Sequence, residues 1–157
     1  MGESISKQRF VSEFFAVFTE AFETHHGIFL DKDTSLFDTL ATITAAEASI
    51  PIGGKCATLA AQAGHVNFYL EVLEKYIRTG DAGRVDWGEI WRTVNQVTPD
   101  EWNIINSRLR ETYDRVSELL RSWQDWDDDR SIGGALAMAV HSAYHLGEIR
   151  QALCTLR

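Results

Sequence analysis

Phenylalanine at positions 10, 14, 18 and 22 sets the first constraint on this chain. A repeat of four through polar residues puts the rings on one stripe of a helix, whereas a strand alternates its faces every second residue. The helical period recurs. Leu59, Ala63, Val66, Leu70, Leu73 and Ile77 step in threes and fours, as do Trp102, Ile105, Leu109, Val116, Leu120 and Trp123. A last helical pattern follows the polar turn at 125–130 and carries Ile132, Leu136 and Ala139 as its expected seam. No segment alternates with period two.

Local signals place the ends. Thr98-Pro99-Asp100-Glu101 joins a capping box to a proline at the first helical position. Gly27 with the Asp31-Lys32-Asp33 cluster closes the first helix, expected over 4–24. Gly80 and Gly83 close the second, expected over 57–79. A shorter helix is predicted from about Thr34, with Leu36, Leu40 and Ile43 inward, ending before Pro51-Ile52-Gly53-Gly54. The third long helix should run from Pro99 to about Gln124. The fourth, capped by Asp129 or Ser131, should reach nearly to Leu156. Trp87 and Trp91 fall in a linker with room for one or two helical turns. Four helices of about 20 residues, each about 30 Å long, predict an all-α four-helix bundle. It forms a single domain over 1–157, with a short extra helix between the first and second long ones.

Charge narrows the function. Fifteen Lys plus Arg stand against 23 Asp plus Glu, a net charge of −8. Such a surface repels phosphate backbones and anionic lipid, so neither nucleic acid nor a membrane is an expected partner. No apolar run approaches the length of a membrane span, and no secretory leader pattern is visible. Two cysteines, Cys56 and Cys154, lack CxxC spacing and predict a reducing, cytoplasmic setting. The start Met1-Gly2-Glu3-Ser4-Ile5-Ser6 fits the loose myristoylation pattern, but no basic cluster follows, and the match is read as accidental.

The chemistry concentrates in His141-Ser142-Ala143-Tyr144-His145. Four residues apart on a helix, the two imidazoles leave one face one turn apart, as two ligands of one ion must. Glu148 follows three residues on. His65 stands in an otherwise apolar helix, on a stripe with Gln62, Tyr69 and Val72 at the edge of the buried seam. Three neutral imidazoles on two helices would make a metal site with one position open. The alternative reading is a partly buried histidine pair satisfied by backbone or water.

These residues resemble the DinB-like helical bundle proteins. The likeness rests on Gly64-His65 near the start of the second long helix and on Val97-Thr98-x-x-Glu101-Trp102. Its most specific part is His141-x-x-Tyr144-His145-x-Gly147-Glu148-Ile149-Arg150-Gln151. The resemblance spans nearly the whole chain. It implies a four-helix bundle, a homodimer, and a divalent ion, zinc or nickel, held by His65, His141 and His145. It further implies transfer chemistry with a low-molecular-weight thiol and an electrophilic substrate, the thiol losing its proton on coordination. Glu148 is the candidate catalytic residue, as base, as partner of a ligand imidazole, or as closure of the fourth position. Two alternatives stand beside it: a stress-associated binding or interaction protein with a structural or absent metal, and a metal-dependent hydrolase that needs the same ligands.

The remaining candidates read as structure. His25 and His26 sit at a helix end, where imidazolium meets free carbonyls. Asp125, Asp127, Asp128 and Asp129 lack the spacing and terminal glutamate of a calcium loop. Neither cysteine has a helical histidine partner, which argues against a cysteine nucleophile. Trp87 and Trp91 are the aromatics positioned to line a cleft mouth, and Tyr144 reads as a packing aromatic.

Overall fold

A computed structural model describes residues 5–54 and 56–157. Met1 to Ser4, most of the myristoylation-like start, lie outside the described residues. Among the described residues the secondary structure is all helical, with seven α-helices and no strand. None of these helices is long and apolar enough to cross a membrane.

Helix α1 spans Lys7–Phe22 and begins where the Ser6 side chain accepts the Arg9 N–H. Its phenylalanine stripe faces inward, with Phe18 and Phe22 fully buried. Glu20 lies on the same helix and is equally buried. Its carboxylate accepts the backbone N–H groups of His26, Gly27, Ile28, Phe29 and Leu30 at 2.9–3.4 Å. Burial pushes this carboxyl group up, but those N–H groups outweigh it and hold the group below the ordinary carboxylate range. The loop after α1 is thus tied to the helix by main-chain donors.

The predicted single short helix is two. Helix α2 spans Leu36–Ala41 under a Ser35 cap, and α3 spans Ala45–Ala48 under a Thr44–Glu47 capping box. Leu36, Leu40 and Ile43 are buried as expected. Thr44 divides the segment because its hydroxyl and the Glu47 carboxylate satisfy the backbone locally. One 3-10 turn, Ile52–Gly54, follows.

Helix α4, Leu59–Thr79, runs through the centre and packs on the last two long helices. Thr58 caps its start, and Gly80, in the left-handed conformation at φ 77°, ends it. The linker aromatics fall on or beside a short helix, α5, spanning Glu89–Thr93. Helix α6 spans Pro99–Ser122 behind the expected capping box. Its Trp102 indole donates to the Ile43 carbonyl at 2.8 Å. Tyr113 stacks on Phe22 with ring centres 4.5 Å apart, joining α6 to α1.

Helix α7 spans Asp129–Leu156 and is capped by Asp128, which accepts the Ser131 N–H at 2.7 Å. The expected seam is corrected here. Leu136 faces outward, and Ala135, Met138, Ala139 and Ser142 face the core. The cause is a close approach. A Cβ on Gly134 would stand 2.9 Å from Ile77 Cγ1, so the small residue turns this face of α7 onto α4. That rotation brings His145 inward.

Candidate metal centre

Helices α4 and α7 place all three sequence-derived histidines together. One nitrogen from each of His65, His141 and His145 lies within 4.8 Å of the others. His65 and His145 are buried and His141 half-buried. The i,i+4 spacing supplies two donors from α7, and the α4–α7 packing supplies the third.

The orientation of His145 is fixed from behind. Its Nδ1 lies 2.6 Å from Gln62 Oε1 and 2.9 Å from Glu148 Oε2. Both oxygens accept, so the ring proton belongs on Nδ1 and the Nε2 lone pair points into the cluster. There it meets His141 Nε2 at 3.2 Å. Two imidazole nitrogens on one tetrahedral ion at about 2.0–2.1 Å would stand about 3.3 Å apart. His145 has no proton to offer in this contact. The contact therefore needs a proton from His141 or a cation between the two rings. Buried Nδ1 atoms of His65 and His141 have no hydrogen-bond partner, so the fold alone leaves the polar demand of this cluster unmet. The donor set fits a divalent ion: three neutral nitrogens, one pair at ligand spacing, and a carboxylate behind one ring.

Electrostatics agree with neutral ligands. Burial, followed by the neighbouring His145, lowers His65 to about 4. Burial, then His145 and His65, lowers His141 to about 3. Burial also lowers His145, against the opposing pull of Glu148.

Aromatic rings wall the cluster. Tyr69 lies flat on His141, with ring centres 3.5 Å apart and planes 5° apart. Trp91 covers His65 at 4.3 Å, and Trp87 packs on Tyr69 at 5.7 Å. Trp91 therefore borders the cluster directly, and Trp87 reaches it only through Tyr69. Gly64, beside His65, faces α5. A Cβ there would lie 3.4 Å from Ile90 Cγ2, an ordinary contact, so the packing of α5 on this turn leaves room for a small side chain. Tyr144 is 62% exposed, with its ring 5.1 Å from that of His145. It is a wall of the site's outer side and not a core aromatic.

The chain matches no protein-family model, no curated protein and no solved structure. The centre is thus argued from its own geometry.

Other candidates fall elsewhere. Glu148 touches His145 Nδ1 and not the face where the three nitrogens converge. Its Oε2 lies 2.9 Å from that nitrogen. Gln62, noted in the sequence only as a stripe neighbour of His65, proves to be the second acceptor. His26 Nε2 bonds the Thr19 hydroxyl at 3.0 Å, away from the cluster. Asp128 caps α7. Cys56 and Cys154 are free and exposed.

Proposed function

We propose that His65, His141 and His145 hold a divalent metal ion, zinc or nickel, and that the chain is a DinB-like metal-dependent transferase using a low-molecular-weight thiol. The observation carrying the metal reading is the 3.2 Å approach of two Nε2 atoms while the proton of His145 is held on its other nitrogen. Four long helices in the expected order support the DinB-type four-helix bundle.

A bound ion with an open position would supply a thiolate at neutral pH, since metal coordination removes the thiol proton. The residues of the chain do the rest. His65, His141 and His145 bind, with one site left over for an exogenous ligand. Gln62 and Glu148 hold the His145 ring in its donor tautomer. Trp91 and Tyr69 exclude water from two imidazole faces and offer apolar walls to an electrophile. Homodimerisation is part of the same proposal. It is supported by an apolar groove between α1 and α7, lined by Phe10, Phe14, Leu136 and Val140.

Elemental analysis of untagged protein beside His145→Ala tests the metal reading. Near-stoichiometric zinc or nickel is expected in the parent and loss in the variant, with helical circular dichroism unchanged. No uptake in the parent after incubation with either ion refutes it. Turnover of electrophiles only when a small thiol is added supports the transferase. Turnover without thiol would move the assignment to a hydrolase.

A further inference from the structure

The two histidines of α7 are held in different ways. His145 is fixed by two oxygens behind its Nδ1, whereas the buried Nδ1 of His141 has no hydrogen-bond partner among the described residues. What lies against His141 instead is a ring. Tyr69 follows His65 by four residues, so the two share one face of α4. Helix α4 thus supplies one histidine of the cluster and the cover of another.

The stack is not one that two neutral rings favour. Aromatic pairs prefer offset or edge-to-face arrangements with centres about 4.5–7 Å apart, because two negative faces repel. The Phe22–Tyr113 stack in the core keeps 4.5 Å. Tyr69 and His141 stand at 3.5 Å with planes 5° apart, about the contact distance of two carbon atoms, so face lies on face with little offset. An imidazole bound to a metal ion is a different partner. Coordination draws electron density towards the ion and leaves the ring face electron-poor, and the negative face of a phenol attracts such a ring. The Tyr69 hydroxyl makes no hydrogen bond among the described residues, and burial alone pushes it up. The contribution to His141 therefore comes from the ring.

We propose that Tyr69 is a positioning residue of the metal centre: its ring sets the plane of His141 and stabilises that imidazole more when it carries an ion than when it carries none. The inference rests on the metal reading above. It goes beyond that reading in making the affinity of the centre depend on the π electrons of a neighbouring ring.

The test measures zinc affinity of the full-length protein by competition with a chromogenic chelator. Tyr69→Phe removes the hydroxyl and keeps the negative face, so its affinity should match that of the parent. Tyr69→pentafluorophenylalanine keeps the ring and its apolar character but reverses the charge of the face. It should bind zinc about tenfold more weakly than Tyr69→Phe. In a His141→Ala background the two substitutions should bind zinc equally, since the ring they act on is gone. A packing role for Tyr69 would not produce that pattern. Equal affinities of the two variants beside a zinc-binding parent would overturn this inference alone, as would a difference that persists without His141. A parent that takes up no zinc overturns the metal reading, and the inference falls with it.

Discussion

Acid should destabilise the metal-free protein over a window set by its histidines and not by its carboxylates. His65 and His141 are lowered to about 4 and about 3 from an ordinary 6.5, with burial as the main cause. In the unfolded chain the same rings protonate as pH falls through 6.5. Between 6.5 and 4 the unfolded state therefore holds more protons than the folded state, and stability falls as pH falls. At pH 5 both folded-state imidazoles are still neutral. The loss then depends only on the distance below 6.5, about 2 kcal/mol per ring and about 4 kcal/mol for the pair. Burial lowers His145 as well, so its contribution has the same sign. The Glu47 carboxyl group acts at lower pH than the two rings. Glu47, held at about 2 first by its hydrogen bond from Arg157, loses its contribution only as pH drops below 4.5. Urea unfolding of chelated protein at pH 7.5 and pH 5.0 reads the effect directly. With a slope of about 2 kcal/mol per molar, the midpoint should fall by about 2 M. A His65→Asn/His141→Asn double variant should lose most of that drop. Coincident midpoints at the two pH values, or an undiminished drop in the double variant, would refute the reasoning.

Removing either acceptor behind His145, by Gln62→Leu or Glu148→Leu, should weaken zinc only severalfold, because the other still holds the N–H. The double variant should reach the loss of about 10–100-fold typical of an unsupported ligand, measured by competition with a chromogenic chelator. Two adjacent glycines of α7 should respond in opposite directions in thermal unfolding. Gly133→Ala has open space for its Cβ and should gain about 0.5–1 kcal/mol from helix propensity. Gly134→Ala must displace Ile77 and should lose about 1 kcal/mol net of that gain.

The helical class and the histidine triad were legible because both rest on spacing. Periods of three and four survive any tertiary arrangement, and two imidazoles at i,i+4 share a face wherever the helix goes. The third histidine needed more. His65 was readable as an odd polar residue on an apolar helix, but its meeting with α7 depends on how the helices rotate. That rotation also moved Leu136 outward, and the clue was a small residue, Gly134, whose importance appears only against Ile77. The division of α2 from α3 is written in Thr44 and Glu47, but the apolar pattern runs straight across it and hides the break. Glu20 left no usable signal. Its partners are main-chain N–H groups, which every residue but proline possesses.

The short helix α5 buries none of its residues, yet it carries the indole that covers His65. A segment with so few buried contacts detaches at a fraction of the global unfolding free energy, whereas α4 beneath it opens only with the whole domain. Hydrogen exchange should therefore be fast and insensitive to denaturant along 90–93, and slow along the turn that bears His65. The two walls of the centre belong to different units of stability. Uncovering of the His65 ring is then timed by local opening of α5, many times within the lifetime of one folded molecule.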